Sequence, residues 1–564
     1  MSSKLSERED VEAKVSPSEP LSPTVASSLS TGEGHVIEET PSHALESAPG
    51  RPRALSGTQS IHNTRSYGGE DGYALHQEEE TVTAIDGVVD PEKIFEVHWE
   101  GGDSDPMNPR SMSKARKWLI VAIVSMSSTC VACASSLYVG SYGQLMKEFN
   151  SSRIVVTIGL SLFVAGLGVG PMILSPLSEF YGRRPVYLVS YSFFFIWLIP
   201  CAVSKNMATM LVARFLDGFS GSAFLSVAGG TVGDIFNRHD LSMPMMIYAA
   251  SPFLGPQLGP LMSGFINQYT NWRWTFYTAL IWAGFQLAAI VLLVPETYHP
   301  VLLRRKARQL RKETTDDRWQ APIEKMERSI LRTVMWSCIR PFQLLVLEPM
   351  CLNLCIISSL LLGIVYLFFG AFPLVFQNNH GMTLSQSGLT FLGLLVGMLF
   401  GIATDPFWRA NYRRLIRKGE KKGGEKGGSE PEYRLPPTIL GAIMVPIGLF
   451  GFGWTTFPRV HWIVPIIFSA VFGFGNILCF SGIFTFLVDC YPLYAASALA
   501  ANSFARSGFA AAFPLFGVQM YEKLGYQWAT SLLAFLSLVM APFPYLFFKY
   551  GKKIRGRSRF ATNV

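Results

Sequence analysis

Arg214 and Asp217 stand three residues apart in Leu211-Val212-Ala213-Arg214-Phe215-Leu216-Asp217-Gly218. On a helix that spacing puts both side chains on one face. A carboxylate beside a guanidinium in apolar surroundings can load and release a proton, because burial and the neighbouring cation pull its proton affinity in opposite directions. The same two residues could equally form a static ion pair that locks two helices, and the sequence leaves both readings open. Arg506 shares its helical stretch with Asn502, Ser503 and Ser507 and has no acid near it in sequence. It could attract an anion or anchor itself on backbone carbonyls. Glu179, Arg183, Arg184 and Asp234 lie at the ends of apolar runs, where they could gather as a charge cluster. Pro252, Pro256 and Pro260 recur every four residues, with Gly255 and Gly259 between them. The prolines each delete a backbone hydrogen bond, and the glycines let a neighbouring helix come close.

The elements that must position these residues are long apolar runs. The chain has 564 residues, 49% hydrophobic but only 16% charged, well below the charge of a soluble domain. Apolar runs of this length read as membrane spans. Twelve are predicted, near 118–139, 154–177, 186–203, 208–230, 245–266, 274–294, 349–375, 384–403, 437–457, 462–488, 495–519 and 527–548. They divide the chain into a disordered tail (1–110), a six-helix bundle (111–294), a central loop (295–348), a second six-helix bundle (349–550, with a loop at 404–436) and a short tail (551–564). The first tail is rich in Ser, Pro, Glu and Gly, with too few large apolar residues to fold alone. Its Ser56, after Arg53, is a candidate phosphorylation site beside the plainer reading of a solvated tail. The first apolar run, from about Trp118, is too long for a cleavable signal peptide, so none is expected.

The net charge of +8 could suggest nucleic acid, but its distribution excludes that class. With both termini inside, the cytoplasmic side receives the Arg183-Arg184 loop, the Arg238 loop, both long loops and the Lys552-Lys553-Ile554-Arg555 tail. The opposite side receives only Lys147, Arg153, Lys205, Arg273, Arg459 and Lys523, as the positive-inside rule expects. On that side Asn150-Ser151-Ser152 is a candidate glycosylation sequon. Sorting every Lys, Arg, Asp and Glu onto this topology leaves Arg214, Asp217 and Arg506 inside spans, where a charge must face a cavity or a partner. Cys130 and Cys133 form a C-x-x-C with no second pair, better read as packing than as zinc or redox chemistry. Gly166, Gly168 and Gly170 imitate a dinucleotide fingerprint, but no strand precedes them. The glycine pairs of 421–428 read as a flexible linker, and no P-loop is present. No metal site, cofactor or enzyme activity is expected.

The two halves repeat. Ser175-Pro176-Leu177-Ser178-Glu179-Phe180-Tyr181-Gly182-Arg183-Arg184 follows span 2, and Thr404-Asp405-Pro406-Phe407-Trp408-Arg409 follows span 8. Each has an acid four residues before an Arg, and Asp234 and Asp489 end spans 4 and 10. Two six-helix halves are a transporter architecture, with the site between them near the midplane. The chain resembles the major facilitator superfamily, specifically the twelve-span fungal drug:proton antiporters, which include multidrug and polyamine exporters. Ser175–Arg184 resembles its loop 2–3 motif, with Ser175 and Phe180 departing from the usual Gly and Arg. Leu211–Gly218 resembles its span 4 motif, with Asp217 where Gln is usual. Ser251–Pro260 resembles the antiporter motif of span 5, and Pro295-Glu296-Thr297-Tyr298 resembles the fungal signature.

The resemblance implies an all-α membrane protein of the major facilitator fold, in a plasma membrane with both termini cytoplasmic. It implies export of small, mostly hydrophobic compounds in exchange for protons, by a monomer whose only partners are substrate, protons and lipid. Proton coupling falls to Asp217 and Arg214. A latch between the halves falls to Glu179, Arg183, Arg184 and Asp234. The antiporter helix should seal the interface between halves. Tyr138, Gln286, Tyr366, Phe369, Asn476 and Arg506 are expected to line the substrate cavity. Gly370 stands where many relatives carry Glu, which argues against polyamines. The alternatives are a nutrient or polyamine transporter of the same fold, or a membrane sensor that does not transport.

Overall fold

The computed structural model describes residues 95–237, 240–324, 329–421, 429–556, 558, 560 and 561. Residues 1–94 with Ser56, Arg238, and residues 422–428 of the glycine linker lie outside the described residues. The described chain is helical apart from one isolated bridge, between Glu96 and Gln320. Inside a bilayer a helix satisfies its own backbone groups, which is why apolar runs of this length fold this way.

Twelve long helical segments follow one another. Span 1 is Lys114–Glu148, span 2 Arg153–Tyr181, span 3 Arg183–Val203, span 4 Met207–Ile235, span 5 Ser242–Tyr269 and span 6 Arg273–Leu293. Span 7 is Pro349–His380, span 8 Leu384–Glu420, span 9 Pro436–Trp454, span 10 Ile463–Cys490, span 11 Ala495–Leu524 and span 12 Tyr526–Arg555. Ten are long and apolar enough by themselves to cross a membrane. Spans 5 and 11 match them in length but carry the three prolines and Gln257, or Asn502, Arg506 and Gln519. Large side chains such as Leu292 (78% exposed) and Phe285 (73%) point outward, an arrangement only a lipid solvent favours. The helices alternate between a terminal end, which bears Lys114 and Arg555, and a far end opposite.

The repeat seen in the sequence recurs in the packing. Span 1 packs on span 5 as span 7 packs on span 11, and the pairs 2–4, 3–4 and 3–6 recur as 8–10, 9–10 and 9–12. The same shift by six exchanges the two main contacts between halves, 2–11 and 5–8. Glycines make the tightest crossings. A Cβ on Gly218 would overlap the Phe163 carbonyl of span 2, and one on Gly397 would overlap the Ala470 carbonyl of span 10. Gly166 and Gly170, the false dinucleotide fingerprint, are therefore packing residues on the span 4 side. Cys130 and Cys133 are buried free thiols in span 1.

Three regions expected to be loop or tail are structured, and in the first, 404–436, the helix of span 8 runs on over Asp405–Glu420. The central loop contains the helices His299–Thr314 and Ile330–Leu347. The last part of the expected tail is also folded: Val97 and Trp99 are buried against Leu303, Ala307 and Ala321. Val97 N–H donates to the Gln320 carbonyl (3.0 Å), Gln320 N–H to Phe95 (2.9 Å), and Lys306 pairs with Asp105 (2.9 Å). Composition misjudged this segment because its apolar partners lie about two hundred residues away in sequence.

The strap ends on a buried histidine. Trp99 Nε1 donates to His299 Nδ1 (3.2 Å), and His299 Nε2 meets the Asp234 carbonyl (2.9 Å). A Trp N–H only donates and a carbonyl only accepts, so these partners assign a neutral ring with its proton on Nε2. Burial holds His299 below its usual range, against the pull of Asp234 and Asp103 and with the push of Arg110. A depressed histidine supports docking above its ordinary value of 6.5 and loses that support as pH falls towards the depressed one. Each pH unit across that window should weaken the strap by up to about 1.4 kcal/mol. Proteolysis of residues 95–111 should therefore speed up between about pH 7.5 and about pH 5.5. His299→Gln, which keeps one acceptor and one donor, should flatten that dependence.

Candidate functional site

Arg214 and Asp217 are both fully buried in span 4, with Arg214 Nη1 3.8 Å from Asp217 Oδ2. That separation is an ion pair without a hydrogen bond. The guanidinium donates instead to two main-chain carbonyls of span 1, Ala134 (3.0 Å) and Ser135 (3.1 Å). Span 1 changes there from α-helix to a 3₁₀ turn, Tyr138–Ser141, and such tightening releases carbonyls for outside donors. The guanidinium also lies over the rings of Phe163 (4.2 Å) and Tyr138 (4.9 Å). Neither Asp217 oxygen has a hydrogen-bond donor.

Ser135 faces two ways. Its carbonyl holds Arg214, and its hydroxyl is 2.9 Å from the Tyr366 hydroxyl of span 7, across the interface between halves. The antiporter-type helix braces the same stretch of span 1. A Cβ on Gly255 would stand 2.6 Å from Ala132 Cβ, and one on Gly259 would overlap Ser136. Gly255 and Gly259 turn towards their own half, whereas Gly264 faces the interface the sequence suggested, where a Cβ would stand 2.9 Å from the Leu384 carbonyl oxygen of span 8. The interface is also met elsewhere on the helix: Phe253 stacks on Phe480 of span 10 (4.5 Å), and Gln268 Oε1 accepts from Ser385 N–H of span 8 (2.8 Å). The helix runs unbroken through Pro252, Pro256 and Pro260. The Tyr248 carbonyl, which loses its usual donor at Pro252, accepts from the Ser251 hydroxyl (2.7 Å).

Of the expected latch, Arg183, Arg184 and Asp234 bond within the first half. Arg183 Nε pairs with Asp234 Oδ2 (3.2 Å), and its Nη1 donates to the Ser178 hydroxyl (2.7 Å). Glu296, which follows span 6, accepts the backbone N–H groups of Arg183 (2.9 Å), Arg184 (3.1 Å), Thr297 (3.0 Å) and Tyr298 (2.9 Å). Arg184 reaches back to the Val291 carbonyl (3.0 Å), and Glu179 lies within electrostatic range of Arg183. These contacts of Arg183, Arg184 and Asp234 bind spans 2, 3, 4 and 6 to each other, and do not bolt one half to the other. The second half repeats the motif, with Arg434 on Asp489 (2.7 Å) and Arg555 on Glu432 (2.8 Å).

The six residues expected at the substrate cavity separate. Tyr138 belongs to the charge pair, and Gln286 accepts from Ser127 within the first half (3.3 Å). Phe369 packs on Phe391 within the second half (5.6 Å). Tyr366 and Arg506 meet the other half at the interface, and Asn476 is buried one helical turn from Phe480 on span 10. Arg506 lies over Phe253 (5.4 Å), Phe480 (5.6 Å) and Phe484 (5.2 Å). Asn150 is exposed in the far-end turn between spans 1 and 2, at a φ of 45°.

The chain matches the Major Facilitator Superfamily over residues 124–514. The chain belongs to that superfamily. Within it, "Efflux pump atB" of Aspergillus terreus is 60% identical over 82% of this chain and 89% of its own length. The "Probable drug/proton antiporter YHK8" of Saccharomyces cerevisiae is 40% identical over 87% and 91%. These relatives place the chain in the fungal drug:proton antiporter family. Among solved structures, the xylose transporter XylE from E. coli superposes with a TM-score of 0.54 at 16% identity, over 76% of this chain and 99% of that one. At that identity the likeness shows the fold alone.

Sequence reasoning for this superfamily member missed Glu296 as the hub of the charge cluster, although it sits in the quoted fungal signature. It also missed Phe253 and Gln257, which stand inside the quoted antiporter motif. The Glu296 hub is testable. Gly182, at a φ of +100°, brings span 3 so close that a Cβ there would overlap the Glu296 carboxylate. Gly182→Ala should destabilise the protein by about 1–3 kcal/mol from backbone strain alone. Glu296→Ala should cost a similar amount, about 1.5–3 kcal/mol, through the stranded N–H groups. Thermal melting of the purified protein checks both.

Proposed function

We propose that this protein exports small, mostly hydrophobic organic compounds in exchange for protons, by alternating access. In this reading it is a monomer in the plasma membrane, with both termini cytoplasmic. The names of its relatives support efflux and antiport. The observation that carries the coupling is Asp217, fully buried with neither oxygen hydrogen-bonded, beside an arginine committed to another helix. An ionised group at such depth costs at least about 2.5–3.5 kcal/mol, so the site has two distinct states, with and without the proton.

In the protonated state Arg214 rests on the Ala134 and Ser135 carbonyls alone. Once Asp217 ionises, it competes for the guanidinium. The contest is felt at the tightened turn of span 1, and Ser135 passes it to Tyr366 in the other half. Proton release can thereby favour one packing of the two halves and proton uptake the other. Each proton moving inward down a membrane potential supplies about 2.3 kcal/mol per 100 mV.

Asp217→Asn keeps the size of the side chain and removes its proton. Expression should be preserved, and efflux driven by an imposed pH gradient in vesicles should fall at least about 10-fold. Unchanged gradient-driven export in this variant would sink the assignment of Asp217. Uptake in place of efflux by the wild type would sink the direction.

A further inference from the structure

The two arginines inside the bundle are held in opposite ways. Arg214 is fully buried, and two carbonyls accept from it. Arg506 forms no hydrogen bond and no ion pair among the described residues, and its Nε is buried without an acceptor. The residue as a whole is only partly buried, unlike Arg214. Its neighbours are three rings, Phe253 from the first half and Phe480 and Phe484 from the second. Rings attract a cation weakly and leave its N–H groups free. A purely structural arginine would find carbonyls, as Arg214 does.

Two more unsatisfied groups lie one helical turn away. Gln257 follows Phe253 by four residues on span 5, and Asn476 precedes Phe480 by four on span 10. The two spans run in opposite directions, so both amides fall in the layer next to the Phe253–Phe480 stack. Both are fully buried, and neither the nitrogen nor the oxygen of either amide has a partner. Buried amides are rarely left so, and a ligand that hydrogen-bonds to them would account for both.

Resting on the export reading above, we infer that the space between spans 5, 10 and 11 is the substrate site, and that the substrate is a small organic anion. Its carboxylate, or a comparably acidic oxygen, pairs with Arg506. Its apolar body enters between Phe253 and Phe480, and its remaining polar groups reach Gln257 and Asn476. The stack joins the two halves, so a ring that parts it is felt by both. A cationic compound meets an uncompensated guanidinium there and, with Gly370 in span 7, no carboxylate at that position.

The test uses purified full-length protein in lipid nanodiscs and two probes of equal shape, naphthoate and naphthamide, with binding read by tryptophan fluorescence. Wild type should bind naphthoate on the order of 10-fold more tightly than naphthamide. Arg506→Gln should bind the two equally, and Arg506→Lys, which keeps the charge, should retain part of the preference. Equal wild-type affinities overturn the anion site, as does an undiminished preference in Arg506→Gln. These measurements need no gradient. If the naphthoate preference behaves as stated but no pH gradient drives efflux, the export reading falls and the site stands.

Discussion

A guanidinium and a carboxylate sealed inside the bundle constrain everything near span 4. Arg214 must find acceptors, and it finds them in the backbone of span 1, at the turn where α-helix gives way to 3₁₀. That bond requires span 1 to be held at a fixed height and angle. Gly255 and Gly259 hold it from one side by letting span 5 lie against it. Phe163 covers the guanidinium from span 2, and the Gly218 crossing brings span 2 near enough to do so. The glycine and proline pattern of span 5 and the charge pair of span 4 thus serve one arrangement, although they are over thirty residues apart in sequence.

The two halves share a plan and differ in chemistry. An arginine opening the third helix pairs with an acid ending the fourth in both, as Arg183 with Asp234 and Arg434 with Asp489. Beyond that the signs are exchanged. In the first half an acid after the sixth helix, Glu296, caps N–H groups; in the second a base at the end of the last helix, Arg555, pairs with the buried Glu432. Aligning Gly218 with Gly473 puts Ser469 and Phe472 where Arg214 and Asp217 stand. The second half therefore carries no charge at that depth on the matching helix, and its interior cation is on span 11 instead. In the reading proposed above, one half is equipped for a proton and the other for an anion.

The fold was legible because lipid imposes it: a single segment satisfies its backbone in a bilayer only as a helix, and apolar runs long enough to cross that way announce themselves. Arg214, Asp217 and Arg506 were legible for the same reason, since a charge in an apolar run stands out. Their partners were not. Arg214 binds main-chain oxygen, which no side-chain pattern reveals. The Glu296 hub depends on a turn that only Gly182 permits, and aromatic cavity residues cannot be told from aromatic packing by type. Tyr138 and Phe369 belong to the second kind, and Gln286 bonds within its own half, while Phe253 and Phe480 meet across the interface. The strap at residues 95–111 was hidden by the distance in sequence to the helix it covers.

The acceptors of Arg214 belong to the peptide backbone, so no codon change can delete them. Drift at Ala134 or Ser135 replaces a side chain and leaves both carbonyl oxygens in the chain. The bond can be lost only by altering the course of span 1, through the residues that bend or press it. Genetic screens for uncoupled variants should therefore fall silent at Ala134, and at Ser135 should report only the loss of its hydroxyl contact with Tyr366. They should cluster on the helix behind, at Gly255 and Gly259, where a single methyl group would shift the backbone that the arginine holds.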